Sequence, residues 1–71
     1  MEITYNRKTD LLYLRLDQRK QDVINKQVND NVVLDIGDDD KIIGIEILNA
    51  SKTLNLEKLR PISYKEIPVT G

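Results

Sequence analysis

The chain has 71 residues, enough for one small domain spanning residues 1–71 with a hydrophobic core of modest size. It contains no Cys and no His, which excludes disulfides, a structural zinc site of the usual kind, and Ser–His or Cys–His catalysis within one chain. Its 11 basic and 12 acidic residues give a net charge of -1, so no overall field attracts nucleic acid or an anionic membrane.

Two β-strands are predicted at residues 2–5 and 11–17, joined by a polar turn at residues 6–10. The second strand alternates strictly between its two sides, and we expect it to be central in the sheet. Its two faces carry Leu12, Leu14 and Leu16 on one side and Leu11, Tyr13, Arg15 and Asp17 on the other.

A third, weaker strand is predicted at residues 23–29, after a polar connection at residues 18–22. Ile24 and Val28 share one face of this strand, with Lys26 between them. Because a charge in that position discourages unwanted pairing, Lys26 favours a place at the edge of the sheet.

The most apolar part of the chain is residues 31–50, where two strands rich in Val, Ile and Leu flank Gly37 and three consecutive Asp residues. Gly37 is expected to supply the unusual dihedral angles of the turn. With a four-residue loop at 37–40, the predicted pairs are Ile36 with Lys41, Leu34 with Ile43, and Val32 with Ile45. One face then carries Val32, Leu34, Ile36, Ile43, Ile45 and Ile47. The opposite face is mixed and carries Val33, Asp35, Ile42, Gly44 and Glu46.

A helical spacing follows the hairpin. Asn49 is a suitable N-cap residue, and Ala50 and Leu54 lie four positions apart on one helical face. Pro61 prevents the helix from continuing. Residues 60–71 alternate only loosely and are expected to form either an edge strand or a loose tail.

These elements predict an α+β fold, in which an antiparallel β-meander of about five strands in sequential order carries a short C-terminal helix on one face. A helix of about ten residues is roughly 15 Å long and five strands are roughly 19 Å wide, so one helix covers one face only. The other face would expose Leu11, Tyr13, Val33 and Ile42. Such a surface predicts an interface, and a homodimer with its sheets packed face to face is the preferred interpretation. The alternative is that Ile62, Tyr64 and Ile67 of the same chain cover it.

Asp35 and Glu46 are eleven positions apart, like the first and last ligands of an EF-hand calcium loop. Gly37 stands in place of the third ligand and Asp40 in place of the turn glycine, so a solvated acidic turn is expected instead. Neither a metal nor a cofactor is predicted. Asp35 and Glu46 also share one face of the hairpin, which leaves open a pair of general acid and base. The favoured alternative is structural, with Glu46 bonded to a backbone group or paired with Arg15.

Location and nucleic-acid binding follow from the distribution of charge and apolar residues. The basic residues are scattered among acidic neighbours, so nucleic-acid binding is not expected. The apolar runs are far shorter than the roughly 20 residues that span a bilayer, and residues 1–5 lack the features of a signal peptide. We therefore expect a cytoplasmic protein without membrane partners.

Three segments carry a family resemblance: Y-N-R-K-T-D-L-L-Y-L-R-L at residues 5–16, N-V-V-L-D at 31–35 and G-I-E-I-L-N-A-S at 44–51. Over about residues 1–55 the chain resembles domain of unknown function family twenty-two eighty-three, a group of short prokaryotic proteins. Members have Asp and Ala where this chain has Asn6 and Leu11, and often Asp where it has Asn49. The family has no established activity, so the resemblance implies a fold and little function. Some members are encoded beside small toxin-like proteins, which implies an antitoxin-like role.

The sequence as a whole predicts a small protein-interaction module that self-associates and has a further protein partner. The first alternative is a small enzyme or metal-binding protein that uses Asp35 and Glu46, with an enzyme the less favoured interpretation. The second alternative is a weak nucleic-acid binder.

Overall fold

The computed structural model describes residues 1–59 and 65–67. Within them lie β-strands, a short helix α1 at Ala50–Thr53, and 3-10 turns at Asp38–Asp40 and Leu56–Leu59. The strands are β1 (Glu2–Asn6), β2 (Leu11–Arg15), β3 (Ile24–Asn29), β4 (Val32–Ile36), β5 (Ile42–Ile47) and β6 (Lys65–Ile67). The prediction that Ile62, Tyr64 and Ile67 cover one face concerns side chains outside this description.

The strands form one sheet in the order β3-β4-β5-β2-β1-β6. Neighbours from β3 to β1 pair antiparallel, and β6 joins the edge beside β1 in parallel. A small α+β fold with an antiparallel sheet and a short helix is therefore confirmed. The sequential order of the meander is wrong, because β2 pairs with β5 and not with β3.

The physical reason for this order lies in the connection between β2 and β3. Residues 16–23 are long enough to cross the three strand spacings, about 14 Å, that separate β2 from β3. The apolar strand β5 can then take a central place, where Ile45 lies opposite Leu14 and Ile47 opposite Leu12. The more polar β3, which contains Lys26, lies at the edge of the sheet as predicted.

Apart from the bulge, where Ile42 lies opposite Ile36, the β4–β5 hairpin keeps its predicted faces but not its predicted register. Leu34 pairs with Ile45 and not with Ile43, and Val32 pairs with Ile47. A bulge beside Ile36 and the 3-10 turn at Asp38–Asp40 lengthen the connection. The partners of Val32 and Leu34 move by two positions, which preserves the side-chain alternation there, whereas the partner of Ile36 moves by one position, from Lys41 to Ile42, at the bulge.

The left-handed dihedral angles of this turn fall on Asp39 and Asp40, with φ of 59° and 58°, whereas Gly37 has φ of -105°. The expectation for Gly37 is wrong, because Asp tolerates the left-handed region through its short polar side chain. Gly37 is needed for space instead: a Cβ there would lie 2.8 Å from both Gln21 Cδ and Ile43 Cγ2.

Helix α1 is capped by a distant part of the chain. Asn49 is the N-cap residue as predicted, but it has φ of 52° and its side chain makes no capping bond. The Ala50 N–H donates to the backbone carbonyl of Asp10 at 2.9 Å, and the Ser51 N–H donates to Asp10 Oδ1 at 3.0 Å. The turn between β1 and β2 therefore takes the place of a local cap.

Alternation along the strands gives the sheet an inner face, which carries α1, and an outer face. On the inner face, Tyr5, Leu12 and Ala50 are buried. Around them pack the partly buried side chains of Ile3, Leu14, Ile47, Leu54 and Leu56. No large side chain of the described residues is fully enclosed, so the core is thin.

Within residues 1–59 and 65–67, no helix has the length and hydrophobicity needed to cross a membrane.

Candidate functional site

The outer face holds a polar groove at the centre of the sheet. The strand register places Tyr13 of β2 opposite Glu46 of β5, and Asp35 of β4 opposite both Gly44 of β5 and Asn25 of β3. The groove has a volume of about 420 Å³. It is lined by Thr4, Asn6, Leu11, Tyr13, Arg15, Asn25, Asp35 and Glu46, and we call it the outer groove.

Asp35 is the centre of the hydrogen bonds in the outer groove, and it is only 7% exposed. Its Oδ2 accepts a hydrogen bond from the Tyr13 hydroxyl at 2.8 Å, and its Oδ1 accepts one from Asn25 Nδ2 at 2.6 Å. Both carboxylate oxygens therefore have a donor, as a buried carboxylate requires. These bonds connect β2, β4 and β3 across the outer face.

Gly44 makes the bond between Tyr13 and Asp35 possible. It lies between Asp35 and Arg15 in the cross-strand row, and the Tyr13 ring passes over it. A Cβ at Gly44 would lie 2.8 Å from Tyr13 Cζ, closer still to the Tyr13 hydroxyl, and 3.1 Å from Asp35 Oδ2. The glycine is therefore required here for the close approach of a side chain.

Two groups around Asp35 have altered acidity. Burial raises the pKa of Glu46, and a hydrogen bond to Asp35 and the charge of Asp35 raise it further. Burial also raises the pKa of Tyr13 to about 12, with the hydrogen bond to Asp35 as the second cause. Glu46 and Tyr13 thus both favour their neutral, proton-donating forms beside Asp35.

Arg15 does not complete an ion pair with Glu46 in the described part of the chain. Its guanidinium lies 5.4 Å from the centre of the Tyr13 ring, a cation–π contact. The alternative in which Arg15 pairs with Glu46 across the sheet is not the arrangement found. The structure instead brings Asp35 and Glu46 together, which the sequence could only leave open.

The four predicted interface residues lie in different surroundings. Leu11, Tyr13 and Val33 are half-buried, and Leu11 and Tyr13 line the outer groove among polar side chains. Ile42, at the start of β5, is 47% exposed. A face-to-face dimer through these residues stays a prediction. The centre of the surface that it would use is the polar outer groove.

A more apolar surface lies at the β3 end of the sheet, beyond the residues that pack against α1. Ile36 lies opposite Ile24 of β3 and Ile42 of β5. The Leu16 N–H donates to the backbone carbonyl of Ile43, which follows Ile42 in β5. Ile24 is 70% exposed, Ile42 47% and Leu16 42%. We call Leu16, Ile24, Ile36 and Ile42 the β3-end patch. The sequence identified Ile42 as an interface residue, but on the outer face; it missed the other three because it assigned the inner face to the helix along its whole width.

The described residues include no group of three or more Asp or Glu side chains placed to hold a metal ion. Asp38–Asp40 form an exposed 3-10 turn at the tip of the hairpin.

Comparison with known proteins gives a family match and a short match to part of a longer protein. The profile of a family described as "Protein of unknown function (DUF2283)" matches residues 2–51. A "Putative hypoxanthine phosphoribosyltransferase" from Methanosarcina mazei is 56% identical over 39 residues, which cover 52% of this chain but only 32% of that protein. No solved structure matches the chain. Because the family profile covers β1 to β5 and every residue that carries the outer groove, the chain belongs to the DUF2283 family of proteins of unknown function.

Proposed function

We propose that this protein is a self-associating protein-interaction module in which a second copy docks on the β3-end patch. The observation that carries the proposal is the exposure of large apolar side chains, above all Ile24 of β3 and Ile42 of β5, on the two strands that flank β4 and lie opposite its Ile36. Adjacent exposed apolar side chains are unusual on a monomer surface and commonly mark an interface.

The thin core supports self-association. In the described part of the chain, the buried apolar residues are Tyr5, Leu12, Ile43 and Ala50. A domain of this length buries only about 60% of the surface of its unfolded chain, and disulfides are excluded by composition. Burial of the β3-end patch against a second copy would add apolar contacts to a domain whose own core contains few buried apolar residues.

The position of Lys26 favours docking of the patch over extension of the sheet. All six residues of β3 are exposed, so its outer edge is accessible to another strand. Lys26 lies in the middle of that edge and opposes the addition of a like-charged copy. A two-fold axis through the patch would let the same apolar residues face one another without pairing β3 with β3.

Light scattering coupled to size exclusion, over a concentration series, tests this function. The wild-type chain is expected to reach twice its monomer mass, and Ile24→Lys to weaken the dimer by at least about tenfold in Kd, because a charge would enter the apolar contact. Gln27→Lys is the matched control, since it adds the same charge to the same strand on the outer face. A monomeric wild type, or equal loss in both variants, would contradict the proposal.

A different protein could occupy the same patch. The toxin-like proteins suggested by the family resemblance are one such class, and this is part of the proposed interaction role. Co-expression with the product of the neighbouring gene tests it: a stable complex is expected that Ile24→Lys weakens and Gln27→Lys leaves intact.

A second candidate function, a small enzyme, is favoured by one observation, the placement of Asp35 and Glu46 in the outer groove. A carboxylate beside a carboxyl of raised pKa is an arrangement used in general acid–base catalysis. Both oxygens of Asp35 already accept bonds from Tyr13 and Asn25, however, so a structural role is the simpler interpretation. A small-molecule screen by ligand-observed NMR, with Glu46→Gln as the comparison, tests for a binding site in the groove.

A further inference from the structure

We propose that Asp35 and Glu46 share one proton in the folded protein, and that this proton forms a pH-sensitive clamp at the centre of the outer face. The clamp joins β4 to β5 by side chains, in addition to the backbone bonds of the sheet. It is a conformational device of the fold and does not depend on self-association.

The geometry of Asp35 identifies which carboxyl carries the proton. Asp35 accepts hydrogen bonds from Tyr13 and Asn25, one on each oxygen, so it is bonded as an ionised carboxylate. Glu46 lines the same groove and lies diagonal to Asp35 across β4 and β5. Two neighbouring carboxyls resist double ionisation, and both Asp35 oxygens already accept hydrogen bonds, so we assign the shared proton to Glu46.

The cross-strand arrangement keeps the two carboxyls close. Asp35 lies opposite Gly44, and Glu46 is two positions further along β5, so the pair is diagonal across adjacent strands. Diagonal side chains on one face of a sheet remain within reach of each other. Gly44, opposite Asp35, has no side chain, and the Tyr13 hydroxyl occupies the space above it.

The charged and titratable groups facing the pair come from each neighbouring strand. From β2 come Tyr13, whose hydroxyl bonds to Asp35, and Arg15, which lies over the Tyr13 ring. Glu2 of β1 lies opposite Arg15 in the register. The strand on the other side, β3, contributes the neutral amide of Asn25. In the described side chains, no cation forms an ion pair with Asp35 or Glu46, so a proton is the charge available to neutralise them.

The direction of the pH effect follows from linkage. The pKa of Glu46 is raised in the folded state, first by burial and then by Asp35. Its contribution to stability is therefore fully present below the usual pKa of a Glu carboxyl and is lost as the pH rises through the raised value. Above that value the fold holds two adjacent negative charges on its outer face.

A carboxyl-carbon NMR titration of the wild-type protein tests the shared proton directly. The Glu46 carboxyl is expected to titrate above the ordinary Glu value, and Asp35→Asn is expected to move its midpoint downwards because the negative charge is removed. Titration of Glu46 at the ordinary Glu value in the wild type would overturn the proposal, whatever the behaviour of the variants.

The clamp is tested separately by urea unfolding as a function of pH. Glu46→Gln keeps a permanent neutral donor towards Asp35, so the wild type should lose stability relative to this variant as the pH rises from acidic to neutral. Glu57→Gln removes the same charge at an exposed position and should follow the wild type. Parallel pH profiles for the wild type and Glu46→Gln would show that no proton-dependent clamp exists.

Discussion

The Tyr13 hydroxyl reaches over Gly44 to donate a 2.8 Å hydrogen bond to the Asp35 carboxylate, joining two residues on non-adjacent strands of one sheet. Strand β5 lies between them and contributes Gly44 beneath the bond and Glu46 beside it. A side chain that spans a whole strand in this way fixes the order β4-β5-β2 as well as the register.

Tyr13→Phe should destabilise the domain, because Asp35 would lose the Tyr13 hydroxyl as a hydrogen-bond donor while remaining buried. The expected loss is about 1–3 kcal/mol in the free energy of unfolding, measured in urea. Asp35→Asn tests the assignment in a double-mutant cycle: the double variant should be much less destabilised than the sum of the two single changes. Additive effects would show that the two side chains do not interact.

Alkaline titration should reveal the raised pKa of Tyr13. The pKa of Tyr13 is raised to about 12, so its contribution to stability is complete below the ordinary tyrosine value and is lost as the pH rises towards 12. Ultraviolet absorbance of tyrosinate is expected to include a late step that belongs to Tyr13. That late step should be absent from Tyr13→Phe; if it persists, another tyrosine is responsible.

Gly44→Ala should disrupt the outer groove. The added methyl would lie 2.8 Å from Tyr13 Cζ and against the Tyr13 hydroxyl, so the ring must move away from Asp35. The expected loss of stability is about 1–3 kcal/mol. In a Tyr13→Ala background the same substitution should cost clearly less, because the obstructing ring is gone. An equal loss of stability in both backgrounds would show that Gly44→Ala destabilises the strand backbone itself and not the contact with Tyr13.

The bond between Asp10 and Ser51 should hold α1 against the sheet. The Ser51 hydroxyl donates to Asp10 Oδ2 at 2.7 Å and its N–H donates to Oδ1, while Tyr5 donates its hydroxyl to the same Oδ1 at 2.7 Å. Ser51→Ala is expected to cost about 1 kcal/mol at neutral pH. Ser51→Thr retains the hydroxyl and serves as the control.

The effect of Ser51→Ala should also depend on pH. Bonds from Ser51, and then from Tyr5, lower the pKa of Asp10. Stability from this group is present above its unfolded pKa and is lost as the pH falls through the lower folded value. The difference between the wild type and Ser51→Ala should therefore shrink in acid. A difference that stays constant would show that the ionised form of Asp10 is not what Ser51 stabilises.

The strands and their faces could be predicted because they depend on local alternation. Tyr13, Asp35 and Glu46 fall on one face for any antiparallel pairing that respects period two. The edge position of β3 was also predictable, since Lys26 interrupts its apolar positions.

Long-range placement could not be predicted from local patterns. The pairing of β2 with β5 depends on a polar connection whose length permits several strand orders. The cap of α1 comes from Asp10, which accepts a hydrogen bond from the Ser51 side chain 41 positions along the chain. Likewise the separation of Asp35 and Glu46 depends on the bulge and turn of the hairpin, and the β3-end patch depends on which strands α1 happens to cover.

The most direct test of the self-association proposed here is an isotope-filtered nuclear Overhauser experiment on a mixture of labelled and unlabelled chains. Contacts between methyl groups of different copies are expected among Leu16, Ile24, Ile36 and Ile42. Intermolecular contacts confined to Leu11, Tyr13 and Val33 would move the interface to the outer face. The absence of any such contacts in a sample that sediments as a monomer would contradict self-association altogether.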